Sequence, residues 1–175
     1  MRNKLLGGIG VVIALLFLIG CAHSPRLKPS LWQYRLDCMQ ALRAQGVLFV
    51  QTGETILVDL PSDKLFYPHS SNFSPHASAI IDPLVRLLQT YQTGIMKVSG
   101  HTDNLCPNEA FNRTLSERQS RRVADCLVDY GMDARLIYNI GCGSSEPIAS
   151  NNNSAGRAAN RRVDIQFRFL SGYNE

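Results

Sequence analysis

Hydrophobic and polar positions follow two rhythms along most of the chain. Leu31, Tyr34, Cys38 and Leu42 recur at helical spacing, with Ser30 ahead of them and Gln33 three residues on in the manner of a capping box, and Gly46 as the stop. Val47-Leu48-Phe49-Val50 and Ile56-Leu57-Val58-Asp59-Leu60 flank Gln51-Thr52-Gly53-Glu54, which predicts a β-hairpin. Ala77, Ile80, Ile81, Leu84, Leu87 and Leu88 form a helical stripe that Ser74-Pro75 opens and Pro83 kinks. Beyond it the pattern predicts a strand over 95–99, an amphipathic helix over 114–130 stopped by Gly131, a strand over 137–141, a short helix over 153–160 and a final strand over 162–170. Strands alternating with helices after an opening hairpin predict an α/β (α+β) sandwich, a mixed sheet with helices packed on one face.

The first twenty residues obey neither rhythm. Arg2 and Lys4 precede an almost wholly apolar run, Leu5 to Ile19, which closes on Leu18-Ile19-Gly20-Cys21. A basic start, a short apolar block and small residues at the exit predict a secretory signal. The alternative, a transmembrane anchor, needs about 20 apolar residues, more than this run supplies. Leu-Ile-Gly-Cys resembles the lipobox of bacterial lipoproteins, which implies that Cys21 is acylated and begins the mature chain. Two or more acyl chains anchor stably, at about 0.8 kcal/mol per buried CH₂. Ala22 in place of Asp after that cysteine implies, by the same resemblance, sorting to the outer membrane with the domain in the periplasm. The expected organisation is a signal peptide over 1–20, a lipidated tether over 21–30, a helix over 31–46, one domain over 47–170 and a tail over 171–175.

Composition changes this picture little. The chain has 175 residues, 45% of them hydrophobic, which suits one domain with a core and excludes a large multidomain enzyme and global disorder. Its formal charge of +4 is too small to predict a nucleic-acid partner. Scattered His23, His69, His76 and His101, and the lack of C-x-x-C, G-x-S-x-G, P-loop and G-x-G-x-x-G motifs, predict no metal, no cofactor and no catalytic centre. With Cys21 lipidated, Cys38, Cys106, Cys126 and Cys142 remain, and four cysteines allow three pairings. Cys126, on an apolar helix face, is expected as a buried free thiol. Cys106 and Cys142, in loops after strands, are the favoured pair.

One ordered constellation carries functional information. Ser99-Gly100-His101-Thr102-Asp103 is followed by Asn112-Arg113-Thr114-Leu115-Ser116-Glu117-Arg118, then Gly141-Cys142-Gly143 with Pro147, Asn151, and Gly156-Arg157-Ala158-Ala159-Asn160-Arg161-Arg162-Val163. Leu60-Pro61-Ser62-Asp63-Lys64-Leu65-Phe66, with Ser70 and Phe73, precedes them. The set is similar to the OmpA-like C-terminal domain shared by the OmpA, Pal and MotB families, over residues 47 to 170. That resemblance implies a non-catalytic peptidoglycan binder that grips the diaminopimelate of the stem peptide. Such a zwitterion needs an anion for its ammonium and an arginine fork for a carboxylate. By resemblance Asp103 accepts the ammonium, Thr102 and Asn112 give polar contacts and Arg161 sits at the pocket edge. From the residues alone, Asp103 could equally cap a turn, Asn112 a helix, and Arg161 could be a solvated strand end.

The chain departs from the family at one position. The family helix reads Leu-Ser-x-x-Arg, and counting from Leu115-Ser116 places Gln119 where that arginine holds the ligand carboxylate. Arg122, about 60° around the helix, is the candidate to reach back in its stead, against a solvated basic face with Arg118. The leading helix, hairpin and Leu-Pro-Ser-Asp-Lys-Leu-Phe also resemble the OmpA-family lipoprotein of the Dot/Icm type IVB secretion apparatus, which implies other secretion-complex subunits as partners. Two expectations stand side by side, a wall-binding module and a structural subunit whose pocket has decayed.

Overall fold

A computed structural model describes residues 30–170. The signal segment 1–20, Cys21, the tether up to residue 29 and the 171–175 tail lie outside the described residues. Helix α1 (Leu31–Ala44) begins where Ser30 Oγ accepts the Gln33 N–H at 3.2 Å. Only half of the expected capping box forms, because the Gln33 side chain turns forward and donates to Asp37 Oδ1 at 2.8 Å. Gly46, at φ 82°, carries the chain out of the helix.

Strand β1 (Leu48–Thr52) pairs antiparallel with β2 (Thr55–Pro61) across the expected hairpin. A single turn, α2 (Ser62–Leu65), follows. Helix α3 (Ser78–Leu88) starts later than Ser74-Pro75 suggested. The Ser74 hydroxyl is used elsewhere, donating to Lys64 O at 2.7 Å and accepting the His76 N–H, so residues 74–77 form turns ahead of the helix. Pro83 sits inside α3 without ending it.

Strand β3 (Thr93–His101) leads to α4 (Glu109–Asp129), which begins well before the expected Thr114. The cap is Asn108, whose Oδ1 accepts the Phe111 N–H at 3.0 Å, so Asn112 lies within the helix and does not cap it. A 3₁₀ turn, β4 (Ile137–Gly141), α5 (Ser154–Asn160) and β5 (Arg162–Phe169) complete the described chain.

The five strands run in the order β1-β2-β5-β3-β4, with β3 and β4 parallel and the other neighbours antiparallel. This is the mixed sheet that the alternation predicted. Every second residue of the central strands faces one side: Ile56, Val58 and Leu60 on β2, Val163, Ile165 and Phe167 on β5, Met96 and Val98 on β3. Leu42 of α1, Leu84 and Leu88 of α3, and Val123 and Leu127 of α4 complete that core. Helix α1 is fastened to the turn after α3: the Arg35 guanidinium lies 4.1 Å over the Tyr91 ring, and its Nε donates to Thr90 Oγ1 at 2.9 Å. Among the described residues no helix is long and apolar enough to cross a membrane.

Candidate functional site

The far end of β3, the first half of α4, α2 and the junction of α5 with β5 surround a cleft of about 360 Å³. Two glycines set its depth. A Cβ on Gly100 would lie 2.0 Å from the Ser116 carbonyl oxygen, and one on Gly141 would lie 2.5 Å from Glu117 N and 2.6 Å from Arg113 O. Glycine at both positions lets α4 rest directly on the ends of β3 and β4. Ser116 then locks the contact, its Oγ accepting the buried Gly143 N–H at 3.0 Å and donating to Arg113 O at 2.9 Å. With the helix fixed, Asn112, Leu115 and Gln119 line the cleft at helical spacing.

The charges come from three separate segments. Asp103 follows β3 in a turn where its Oδ1 accepts the Leu105 N–H at 3.0 Å. Its Oδ2 takes a hydrogen bond from Arg161 Nη1. The same guanidinium forks onto Asp63 of α2, with Nε 2.7 Å from Oδ1 and Nη2 2.6 Å from Oδ2. Asp63, and then Asp103 against the opposing effect of burial, holds the Arg161 pKa above its ordinary value. One cation therefore sits between two anions at the cleft mouth.

The polar residues divide by what already occupies them. Thr102 donates its N–H to Gly143 O at 2.8 Å, while its Oγ1 is buried without a hydrogen-bond partner in the described structure. Asn112, buried, donates Nδ2 to Cys106 O at 2.9 Å and so pins the loop between β3 and α4. Gln119, which lines the cleft, donates Nε2 to Ser70 O at 2.9 Å. Thr102, Asp103, Asn112, Gln119 and Arg161 thus share one cavity.

Arg122 does not join them. Its guanidinium lies 4.6 Å over the Phe73 ring, which is itself stacked on Phe66 at 5.4 Å, and Arg122 is not among the residues that line the cleft. The expectation that it reaches back is corrected by this cation–π seat. The Cys106–Cys142 pairing is corrected as well: Cys38, Cys106, Cys126 and Cys142 are all free thiols. Cys142 is buried beside His101 and Glu146. Cys126 is buried and free, as its helix face predicted.

Sequence reasoning missed Asp63, which is 98 residues from Arg161 and has no local signal beyond its place in Leu-Pro-Ser-Asp-Lys-Leu-Phe. It also missed the aromatic rim of Tyr67 and Phe111, and His69, which holds φ 55° in the loop above the cleft.

A family model described as "OmpA family" matches residues 65–161. The chain is 32% identical over 151 residues to the outer-membrane lipoprotein YfiB of Pseudomonas aeruginosa, covering 86% of each chain. It is 31% identical over 137 residues to the probable lipoprotein YiaD of Escherichia coli, covering 75% of this chain and 62% of that one. It spans only 33% of the length of outer membrane porin F of Pseudomonas fluorescens. Among solved structures, the cell wall anchor of the T6SS from Pseudomonas aeruginosa superposes with a TM-score of 0.69 at 27% identity, over 82% of this chain and all of that one. The peptidoglycan-associated lipoprotein of Burkholderia pseudomallei shares the fold, with a TM-score of 0.53 at 20% identity over 63% of this chain and 89% of that one.

Proposed function

The chain belongs to the OmpA family, and from that premise we propose that it fastens the outer membrane to peptidoglycan, gripping the diaminopimelate of a stem peptide in the cleft between α2, β3 and α4. The observation that carries this reading is the Asp63–Arg161–Asp103 bridge at the cleft mouth, backed by Thr102, Asn112 and Gln119. A zwitterionic ligand meets matched charges there. Its ammonium replaces the guanidinium at Asp103, and the freed Nη1 of Arg161 turns to a ligand carboxylate while Asp63 keeps the fork in place. No bond needs to be made or broken, so the protein acts as a binder and not as an enzyme.

The cleft is richer in acceptors than in cations. Two carboxylates, Asp63 and Asp103, face one guanidinium, so recognition of the ammonium end dominates and the carboxylate end is held by Arg161 alone. This selects stem peptides with a free side-chain amine. Relatives named as a peptidoglycan-binding protein, ArfA of Mycobacterium tuberculosis at 46% identity over 68 residues, and as a cell wall anchor support the ligand class.

The lipid on Cys21 places the domain at the periplasmic face of the outer membrane. In the finer reading the wall grip anchors an envelope-spanning complex, a Dot/Icm type IVB secretion apparatus, through contacts with other secretion-complex subunits. A second reading, a structural subunit with a decayed pocket, is favoured by one observation: Gln119 is neutral and already committed to Ser70 O.

Sedimentation of the full chain with purified sacculi separates the two. The wall-binding reading expects the wild type to pellet and Asp103→Ala and Arg161→Ala to stay in the supernatant. Pelleting of neither wild type nor variants, with co-purification of secretion subunits after the sacculi are digested away, establishes the structural reading instead.

A further inference from the structure

Beside the cleft, which His101 also lines, lies a second group of side chains, and Cys142 and Glu146 of that group are not among the cleft-lining residues. A ring nitrogen of His101, Cys142 Sγ and a Glu146 carboxylate oxygen all lie within 4.8 Å of one another. We propose that these three residues form a binding site for a divalent transition-metal cation of the zinc class.

The first argument is the state of His101. It is 2% exposed, and neither ring nitrogen makes an aligned hydrogen bond, although Nε2 lies 3.1 Å from Asp164 Oδ2. Nε2 is held by the Asp164 contact, whereas a buried Nδ1 with no partner is costly, and a cation shared with Cys142 and Glu146 satisfies it. Asp164 occupies the place of the outer carboxylate that orients a ligating imidazole.

The second argument is the frame. His101 ends β3 and Cys142 directly follows β4, two parallel strands in register at Gly100 and Gly141. Cys142 N–H donates to Gly100 O at 2.9 Å, which fixes the two ligand-bearing backbones side by side. The turn beyond is held in turn: Ser145 Oγ donates to Cys142 O at 2.7 Å, and both terminal nitrogens of Arg162 reach the Glu146 carbonyl at 3.3 Å.

The third argument is donor chemistry. Imidazole, thiolate and carboxylate together suit zinc and its neighbours, whereas calcium and magnesium take oxygen alone. Metal–ligand bonds of about 2.0–2.3 Å put tetrahedral ligands roughly 3.3–3.8 Å apart. Closing a group whose ligand atoms lie within 4.8 Å of one another to that spacing is easiest at Glu146, the exposed member, which also provides the route of entry. The nearby positive charge of Arg162 is offset by Asp59 and Asp164. Coordination expels the Cys142 thiol proton to solvent and leaves the fourth position to water.

Titration of the full chain in detergent with cobalt(II) tests the site, because a cysteine ligand gives a thiolate-to-cobalt charge-transfer band that His and Glu sites lack. One equivalent is expected to produce the band and one of zinc to remove it, with Cys106→Ser unchanged and Cys142→Ser lacking it. Glu146→Gln, an exposed change that keeps the fold, is expected to weaken cobalt binding about ten-fold. If Cys142→Ser does not fold, that variant decides alone. Absence of the band in wild type, its persistence in a folded Cys142→Ser protein, or full affinity in Glu146→Gln overturns the proposal. None of these readouts depends on sacculi, so this site and the wall-binding reading fail separately.

Discussion

Arg161 and Arg162 are consecutive in sequence, and each is paired with aspartates, yet their surroundings are opposite. Arg161 is a third exposed and joins Asp63 and Asp103, its three bonding nitrogens all engaged with carboxylate oxygens. Arg162 is buried, its Nε 3.0 Å from Asp164 Oδ1, between that residue and the Glu146 carbonyl. Around it Asp59 Oδ1, Asp164 Oδ1 and both His101 nitrogens have no aligned hydrogen bond. The solvated cluster is complete and the buried one is not. The junction between two elements makes this division: Arg161 is the C-cap of α5 and Arg162 the first residue of β5, so a displaceable ion pair lies on the ligand side and a fixed charge at the start of the strand.

The largest expected effect breaks the comparison at its cations. Arg162→Met leaves the part-buried Asp59 and Asp164 without the guanidinium between them and is expected to cost about 3 kcal/mol of stability. Arg161→Ala removes a pair open to water and is expected to cost about 1 kcal/mol or less, while abolishing retention on sacculi. Urea denaturation of both variants measures the gap. Equal losses would mean that the two clusters do the same structural work.

Much of this arrangement was legible from sequence because it depends on local pattern. The apolar run Ile56-Leu57-Val58-Asp59-Leu60 gives the strand and Gly53 the hairpin, while the core face, Ile56, Val58 and Leu60, is set by the pairing. The start of α4 was not legible. Pro107 and the polar Asn108 and Glu109 suggest loop, and only the Asn108 cap and the packing of α4 on Gly100 and Gly141 extend the helix to Glu109. For the site, Thr102, Asp103, Asn112, Gln119 and Arg161 were visible only through the family pattern. Asp63 in the cleft, and Cys142 beside His101, are set by which strands become neighbours, and no short spacing encodes that. Arg122 shows the converse, a residue whose helical angle allowed the cleft but whose ring partner, Phe73, comes from a distant loop.

A smaller effect sharpens the comparison on the acidic side. Burial, and next the charge of Asp164, push the Asp59 carboxyl from 3.8 up to about 6, against the lowering pull of Arg162 and His101. The folded state therefore binds this proton more tightly than the unfolded chain. The stability linked to it is full below about pH 4 and is lost as pH rises through about 6. Asp59→Asn is expected to flatten that slope and to be the more stable protein at neutral pH, by roughly 1–2 kcal/mol once partial solvation is allowed for. Denaturation midpoints at several pH values between 4 and 7 check the sign. A slope that persists in Asp59→Asn would place the titrating group elsewhere.

The smallest effect concerns what the solvated cluster lacks. Gln119 stands in the cleft wall with one amide N–H on Ser70 O and no charge to offer, and Arg161 is left as the one cation lining the cleft to meet a ligand carboxylate. Gln119→Arg supplies a second fork on the helix side, and a guanidinium can keep the bond to Ser70 O while turning another N–H into the cleft. A charge-assisted bond exceeds a neutral one by about 1 kcal/mol, so calorimetry with a diaminopimelate muropeptide is expected to show binding about five-fold tighter. The gain should survive in Arg122→Ala, whose guanidinium rests on Phe73, and vanish in Asp103→Ala, where the ammonium has lost its seat. If Gln119→Arg folds and binds no better, the ligand's carboxylate never approaches α4, and the Asp63–Arg161–Asp103 bridge alone sets affinity.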